Sequence, residues 1–281
     1  MSLLTINKLT SSVGAEVVGV DPDRLATDGG LGAAVLDALE DNGVLVFHDL
    51  NLSPEAQVAF AERLGQIDRS ADGHHPVSGI YPITLDKSKN SAAEYLKATF
   101  DWHIDGCTPM GDECPQKATV LSAVQVAATG GETEFANSYA AYETLSDAEQ
   151  KHYATLRVVH SLEASQRRVY PNPTEDQLSR WKSRATHEHP LVWTHRSGRK
   201  SLVLGASADY IVGMDLAEGR ALLDELLAHA TAPGRVYSHQ WSVGDTVIWD
   251  NQGVLHRAAP YEPNSPREML RTTVLGDEPI Q

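Results

Sequence analysis

Apolar residues recur with two different spacings along the chain, and the spacing separates predicted helices from predicted strands. Spacings of three and four residues predict helices, whereas short alternating or continuously apolar runs between turn residues predict strands. The predicted helices cover residues 31–42, 54–64, 140–156, 174–184 and 216–230. The predicted strands cover a segment near Thr5 and residues 44–47, 99–104, 118–126, 133–135, 158–161, 190–194, 202–204, 236–239, 246–249, 254–256 and 270–275.

Two of the helices have explicit start signals. Ser53 followed by Pro54 is typical of an N-cap residue and the first helical position. Proline is tolerated there because the backbone N–H that it lacks would have no partner within the helix. Asp215 is suited to cap the helix at 216–230 in the same way.

The many short strands with a few inserted helices predict a fold class that is mostly β with flanking helices, a double-stranded β-helix or jelly roll. No internal repeat, low-complexity tract or linker marks a boundary, so we expect a single domain over residues 1–281. Residues 68–98 are polar and punctuated by Gly and Pro. Such a segment in a compact domain is typical of a functional loop, and we predict a lid.

The charge balance narrows the classes of partner. The chain has 38 acidic and 23 basic residues and a formal net charge of −15, which disfavours binding to nucleic acid or anionic lipid. Its only cysteines, Cys107 and Cys114, fit neither a zinc pair nor a disulfide framework, which indicates a reducing compartment. No leader-like segment or bilayer-length apolar run is visible, so we expect a cytoplasmic protein without a membrane anchor.

Three residues suggest a metal centre. In FDWHIDG, His103 and Asp105 lie two positions apart, a spacing that places both side chains on one face of a strand. His256, in WDNQGVLHR, is the best candidate for a third ligand. Two imidazoles and one carboxylate form the facial triad of oxygen-activating Fe(II) enzymes, which leaves positions for a chelating co-substrate and oxygen. Catalytic zinc accepts the same ligand types, so the triad alone leaves hydrolysis open.

Two arginines, Arg267 and Arg271, follow His256. A guanidinium is always protonated and binds a carboxylate through two hydrogen bonds, so Arg267 is suited to hold the distal carboxylate of a co-substrate. Thr133, after the Gly130-Gly131 turn, offers a hydroxyl for the same carboxylate. Taken alone, Arg267 is better explained as a solvated loop charge beside Glu262 and Glu268.

Longer segments carry a more specific pattern. They are ALEDNGVLVFHDLNLSPEAQVAFAERLG, WHID, GGETEFANSYAAYETLSD, THRSGRKSLVLG, WSVGDTVIWDNQGVLHRAAPY and PREMLRTTVLGD. With these segments the chain resembles the taurine dioxygenase family of Fe(II)/2-oxoglutarate enzymes, which also contains the dioxygenases of phenoxyacetate herbicides. The resemblance spans most of the chain and is weakest over residues 66–100. From Thr194 onward it is closer to the phenoxyacetate members.

The resemblance implies a reaction and an iron site. By position, His103, Asp105 and His256 match the family's iron ligands. The implied cofactor is Fe(II), with 2-oxoglutarate as co-substrate and O2 as oxidant. The implied reaction hydroxylates a substrate and releases succinate and CO2.

The resemblance also implies how the other ligands are held. Thr133 and Arg267 match the residues that bind the distal carboxylate of 2-oxoglutarate. Arg271 matches an arginine that lies between co-substrate and substrate, and His75 and Thr99 are the further candidates for contact with the substrate. A small anionic substrate is therefore expected: a sulfonate, an alkyl sulfate or an aryloxyalkanoate. Relatives assemble as dimers or tetramers, so we also expect a homo-oligomer.

The chain departs from the family at one position beside the third iron ligand. The family's Trp-Asp-Asn-Arg is here Trp249-Asp250-Asn251-Gln252. The missing charge is expected to alter a structural ion pair rather than catalysis.

Two other classes remain open from the sequence. A metal-dependent hydrolase could use His187-Glu188-His189 or His74-His75, although a polar loop before a strand is the simpler interpretation of the first segment. A catalytically silent jelly-roll binding protein would be expected to lack part of the triad, and here all three residues are present. Oxygen uptake that depends on 2-oxoglutarate separates an oxygenase from a hydrolase.

Overall fold

The computed structural model describes residues 3–70, 75–109 and 114–281. Its helices are α1 (Pro22–Thr27), α2 (Gly29–Asn42), α3 (Pro54–Leu64), α4 (Ser138–Glu143), α5 (Asp147–Tyr153), α6 (Leu162–Val169), α7 (Glu175–Lys182) and α8 (Leu216–Ala230), with a 3₁₀ helix over Tyr95–Phe100. Its strands are β1 (Thr5–Lys8), β2 (Ala15–Val18), β3 (Val44–Phe47), β4 (Tyr81–Ile83), β5 (Ala118–Gln125), β6 (Thr133–Asn137), β7 (Arg157–His160), β8 (His187–Pro190), β9 (Val192–Thr194), β10 (Lys200–Leu202), β11 (Ala208–Ile211), β12 (Val236–His239), β13 (Thr246–Asp250), β14 (Val254–Ala258) and β15 (Glu268–Val274).

The largest sheet contains seven strands in the order β1-β2-β3-β13-β5-β15-β4. Its pairings are antiparallel except for β2 with β3. Smaller sheets have the orders β12-β6-β14, β11-β7-β8 and β10-β9. The fold is therefore mostly sheet with helices beside it.

Side-chain alternation along β3 shows how the large sheet is covered on both faces. Leu45 and Phe47 belong to a core cluster shared with α1, α2 and α3. Val44 and Val46 belong to a second cluster that includes Phe135 of β6. Because successive strand residues point to opposite faces, one face of the sheet packs on helices and the other packs on the β12-β6-β14 sheet.

Several predicted elements are confirmed with little change. The bounds of β3, α3, α8 and β12 match the sequence prediction. Ser53 and Asp215 cap α3 and α8, since their side chains accept hydrogen bonds from backbone N–H groups of the first turn.

Three predicted elements are wrong. The strand expected at 99–104 is replaced by the end of the 3₁₀ helix and an isolated bridge at His103. The helix expected at 140–156 is two helices, α4 and α5, because Ser146 caps a new helix with a capping box. His187 and His189 lie in β8 and not in a loop.

Part of the polar segment 68–98 belongs to the large sheet. Within it, β4 pairs with β15, with Tyr81 opposite Arg271. The closing motion of a lid therefore stays a prediction, and His74 lies outside the described residues. Across the described ranges, no helix combines the length and the apolar character needed to cross a bilayer.

Candidate active site

Two histidines from distant parts of the chain meet at an isolated antiparallel bridge. The backbone N–H of His103 donates to the carbonyl of His256 at 3.0 Å, and the reverse hydrogen bond is also 3.0 Å. The two imidazole rings therefore lie side by side, with their centroids 4.2 Å apart. Gly205 permits this placement, because a Cβ there would lie 2.8 Å from the Cα of His103 and its φ of +114° disfavours other residues.

Asp105 completes the group from the turn that follows His103. Its Oδ1 lies 3.8 Å from Nε2 of His103, and its Oδ2 lies 3.8 Å from Nε2 of His256. The three candidate ligand atoms lie within 4.8 Å of one another, and no other such group is found among the residues that the structure describes. Two imidazole nitrogens and one carboxylate oxygen at this spacing fit a single divalent ion.

The imidazoles present the correct nitrogen to such an ion. Nδ1 of His103 lies 2.9 Å from the carbonyl of Asp101, and Nδ1 of His256 lies 3.5 Å from the carbonyl of Val254. A ring whose Nδ1–H donates to a carbonyl keeps the lone pair of Nε2 for a metal. Nδ1 of each histidine thus faces the backbone, while both Nε2 atoms face Asp105.

The charges of the site agree with this arrangement. Burial, followed by the neighbouring His103, lowers the pKa of His256 to about 3, so its imidazole stays neutral. Burial tends to raise the pKa of Asp105, but His256, Arg271 and His103 together outweigh burial and hold the pKa below its usual value. Neutral imidazoles and an ionised carboxylate are the forms that bind metal.

A cavity of about 70 Å³ lies beside these residues. Of the other predicted site residues, Thr99, Thr133, Arg267 and Arg271 all line it. The remaining lining residues, which include several that the sequence did not indicate, are Ile83, Leu96, Leu121, Trp249, Arg257, Ala258 and Tyr261.

Thr133 lies buried at the start of β6, and its hydroxyl oxygen accepts a hydrogen bond from another side chain. Nε1 of Trp241 donates to Oγ1 of Thr133 at 3.0 Å. Because that bond uses a lone pair of the hydroxyl oxygen, the hydroxyl proton remains available for an acceptor in the cavity. Trp241 was not predicted, since nothing in the sequence links it to a threonine more than a hundred positions earlier.

Arg267 is buried, which rejects the solvated-loop interpretation of this residue. Its Nε and Nη2 donate to the carbonyl of Gly131 at 3.3 and 3.1 Å, and its guanidinium carbon lies 4.9 Å from the ring centroid of Tyr261. Burial lowers the pKa of Arg267 and Tyr261 opposes this shift, but a guanidinium remains protonated in proteins. The cavity therefore has a fixed positive charge near Thr133.

Arg271 provides a second cation beside Asp105. Its Nη1 lies 3.8 Å from Oδ2 of Asp105, and its buried Nε has no hydrogen-bond partner among the described residues. The hydroxyl of Thr99 donates to the carbonyl of Leu96 at 2.6 Å, so Thr99 offers the cavity an oxygen acceptor and a methyl group.

His75 is not brought to the cavity. Its Nδ1 accepts a hydrogen bond from the backbone of Val77 at 3.1 Å, and it is absent from the lining residues. A contact between His75 and substrate therefore stays a prediction that the structure does not support.

Trp249 and Asp250, from the segment in which the chain departs from the family, are both buried. Trp249 packs on the site, with its ring centroid 4.8 Å from that of His256. Asp250 is buried, and its carboxylate accepts hydrogen bonds from the hydroxyl of Tyr139 at 3.0 Å and the backbone N–H of Gln252 at 2.9 Å. Burial raises the pKa of Asp250 to about 6.

Residues 5–273 match the model of a family described as taurine catabolism dioxygenase TauD, TfdA family.

Two curated relatives represent two types of substrate. The chain is 36% identical over 272 residues to the alpha-ketoglutarate-dependent 2,4-dichlorophenoxyacetate dioxygenase of Burkholderia sp. (strain RASC), with 90% of each chain covered. It is 30% identical over 295 residues to the alpha-ketoglutarate-dependent sulfate ester dioxygenase of Pseudomonas putida, which covers 99% of this chain and 91% of the relative.

A solved structure shares the fold over almost the whole chain. The crystal structure of AAD-2 in complex with Mn(II) and N-oxalylglycine is similar with a TM-score of 0.82 and 33% sequence identity. The match covers 99% of each chain.

Proposed function

We propose the following reaction for this chain, which belongs to the taurine catabolism dioxygenase TauD, TfdA family. It is a non-haem dioxygenase that depends on Fe(II), 2-oxoglutarate and O2. When bound, Fe(II) supplies the oxidative chemistry that couples conversion of 2-oxoglutarate into succinate and CO2 to hydroxylation of a substrate.

The iron ligands in this proposal are His103, Asp105 and His256. The observation that carries the assignment is the convergence of their ligand atoms within 4.8 Å, with Nδ1 of both imidazoles turned to backbone carbonyls. Asp105 would neutralise one charge of the ion, and the two neutral imidazoles would supply nitrogen ligands.

Arg267 and Thr133 would hold the distal carboxylate of 2-oxoglutarate. Both side chains are buried at the same cavity, where the guanidinium supplies charge and the hydroxyl supplies one donated hydrogen bond. Fixing the far end of the co-substrate would orient its other end towards the iron ligands.

Arg271 would bind the anionic group of a small substrate, and the methyl group of Thr99 would contact the body of that substrate. Arg271 lines the cavity with its side chain 26% exposed, and its guanidinium can bind a carboxylate or a sulfate. Ile83, Leu96 and Leu121 supply an apolar wall for the body of the substrate and exclude water. An aryloxyalkanoate or an alkyl sulfate ester satisfies both features, and these are the substrate types that the names of the relatives give.

The finer architecture is also part of the proposal. The packing of the large sheet on the β12-β6-β14 sheet supports a double-stranded β-helix in a single domain. We also retain a homo-oligomer, either a dimer or a tetramer, and a cytoplasmic location as proposals.

A metal-dependent hydrolase is the less supported alternative. Nε2 of His187 and His189 contact the carbonyls of Pro109 and Cys107 at 3.0 and 2.9 Å, so these nitrogens are already used. The buried Arg267 and its hydroxyl neighbour Thr133 would have no role in hydrolysis.

Oxygen consumption tests the proposal directly. The protein is reconstituted with Fe(II) under anaerobic conditions and then exposed to O2. It should consume O2 and form succinate only when 2-oxoglutarate is added. A panel of sulfonates, alkyl sulfates and aryloxyalkanoates should contain a member that stimulates succinate formation. Product release without 2-oxoglutarate or O2 would favour the hydrolase, and a flat response across the panel would reject only the anionic substrate.

A further inference from the structure

Arg271 lies opposite an aromatic residue from the polar segment 68–98. In the pairing of β4 with β15, Tyr81 is the direct partner of Arg271. The guanidinium carbon of Arg271 lies 5.1 Å from the centroid of the Tyr81 ring. A guanidinium within about 6 Å of a ring face is attracted by the negative charge of that face.

The Tyr81 ring is itself held by a buried amide. The hydroxyl of Tyr81 donates to Oδ1 of Asn90 at 3.1 Å. Asn90 is almost fully buried, and its Nδ2 donates to the carbonyl of Pro82 at 2.8 Å while its Oδ1 accepts from the backbone of Ala92 at 2.9 Å. Through these bonds the side chain of Asn90 holds the Tyr81 hydroxyl against the backbone of Pro82 and Ala92.

The contacts of Arg271 leave part of its guanidinium open. One contact is the distant carboxylate of Asp105 at 3.8 Å, and another is the face of Tyr81. Its Nε is buried and has no hydrogen-bond partner within the described part of the chain. An arginine with so few hydrogen bonds depends on packing for its orientation.

We propose that Tyr81 is a positioning residue for Arg271, and that this pair sets the preference of the site for an anionic substrate. The inference rests on the proposed function, because Arg271 is the substrate-binding cation there. Tyr81 does not line the cavity, so it acts through the guanidinium and does not contact the substrate. With one face covered by the ring, the N–H groups at the edge of the guanidinium are left to bind an anion.

Two matched ligands test the inference: 2,4-dichlorophenoxyacetate and its primary amide, which differ in charge and little in shape. Their dissociation constants are measured anaerobically on protein loaded with Fe(II) and 2-oxoglutarate. The wild type should bind the carboxylate at least about 10-fold more tightly than the amide. Tyr81→Leu should reduce this preference by about 5- to 10-fold, while Tyr81→Phe, which keeps the ring, should retain most of it.

Three measurements separate positioning from a general loss of structure. The affinity for 2-oxoglutarate, held by Arg267 and Thr133, should change less than about twofold in Tyr81→Leu, since this variant removes no contact to that end of the cavity. Tyr210→Leu, at an exposed tyrosine of β11, is the matched control and should leave the preference unchanged. In an Arg271→Lys background, Tyr81→Leu should have little further effect on the preference.

Two outcomes would overturn the inference. One is that Tyr81→Leu keeps the full preference for the carboxylate. The other is that Tyr81→Leu weakens the binding of both ligands and of 2-oxoglutarate by the same factor. A wild-type protein that turns over 2-oxoglutarate but binds the carboxylate no better than the amide would also overturn it, while the proposed reaction would stand. Because binding needs no turnover, a protein without oxygenase activity would fail the proposed function and still report on Tyr81.

Discussion

Two of the histidine clusters in the described part of the chain have different surroundings. The triad consists of His103, Asp105 and His256, and each imidazole has its Nε2 directed at a carboxylate. The second cluster consists of His160 in β7 and His187 and His189 in β8. The ring centroids of His160 and His189 lie 5.4 Å apart, and those of His187 and His189 lie 6.0 Å apart.

The difference lies in what the ring nitrogens contact. In the second cluster, His189 and His187 direct Nε2 at the carbonyls of Cys107 and Pro109, in the segment that follows Asp105. No group of three metal-ligating side chains forms there among the residues with described positions. The number of histidines is therefore a poor guide to a metal site, while three ligand atoms that lie close to one another, with Nε2 atoms free of backbone partners, are a good one.

Removing the carboxylate of the triad should have the largest effect. We expect Asp105→Ala to lose bound Fe(II) and to reduce 2-oxoglutarate turnover by at least about 100-fold, because loss of a group that only hydrogen-bonds to a metal ligand already costs about 10- to 100-fold. Iron content by metal analysis and succinate formation measure the two quantities. His256→Ala should behave in the same way, and wild-type iron content in both variants would reject the assignment.

A second comparison concerns the binding of 2-oxoglutarate and uses two arginines, Arg267 at the cavity and Arg157 beside the second cluster. Arg267→Ala should raise the KM for 2-oxoglutarate by about 10- to 100-fold, because a buried charge-assisted contact to the distal carboxylate is lost. Steady-state kinetics with varied 2-oxoglutarate measure this change, and the KM for substrate should change much less.

Arg157 is the matched control beside the second cluster. It is exposed and pairs with Glu188 in β8, so Arg157→Ala should leave the KM for 2-oxoglutarate within about twofold of the wild type. An equal rise in both variants would show that the effect of Arg267→Ala is not specific to the cavity.

The sequence could predict the chemical groups of the site better than their supports. His103, Asp105 and His256 carry the spacing and residue types of a metal centre, and the family pattern added Thr133 and Arg267. Their partners carry no local signal, because a side chain that meets another across paired strands can lie anywhere in the chain.

The same limit applies to the fold. Strands such as β3 and helices such as α3 follow local apolar patterns, so their bounds could be predicted. β4 is a short strand in a polar segment and exists because β15 offers an edge for pairing, while α6, with the sequence LEASQRRV, has too few apolar residues to show helical spacing. Tertiary contacts decide such elements.

The second cluster should affect the stability of the protein more than its reaction. Burial, followed by the charges of His189 and His187, lowers the pKa of His160 to about 3. Since its ordinary value is 6.5, the unfolded chain takes up a proton as the pH falls below 6.5, while the folded protein leaves His160 neutral. The stability that His160 contributes is complete above pH 6.5 and is lost as the pH falls.

His160→Asn should remove this part of the pH dependence. Between pH 7 and pH 5, the free energy of unfolding should fall by roughly 2 kcal/mol less in the variant than in the wild type. Urea unfolding at the two pH values measures the difference. His152→Asn, at an exposed histidine, should show the same fall in the free energy of unfolding as the wild type. An equal fall in His160→Asn would contradict the role of His160.

The smallest effect is expected at the histidine that supports the segment after Asp105. Glutamine places an N–H close to the position of Nε2 of histidine, so His189→Gln should keep the hydrogen bond to the carbonyl of Cys107. We expect iron content equal to the wild type and turnover within about threefold of it, whereas His189→Ala should lower turnover further through loss of that bond. Loss of iron in His189→Gln would show that the two clusters share the metal, and the contrast between them would fail.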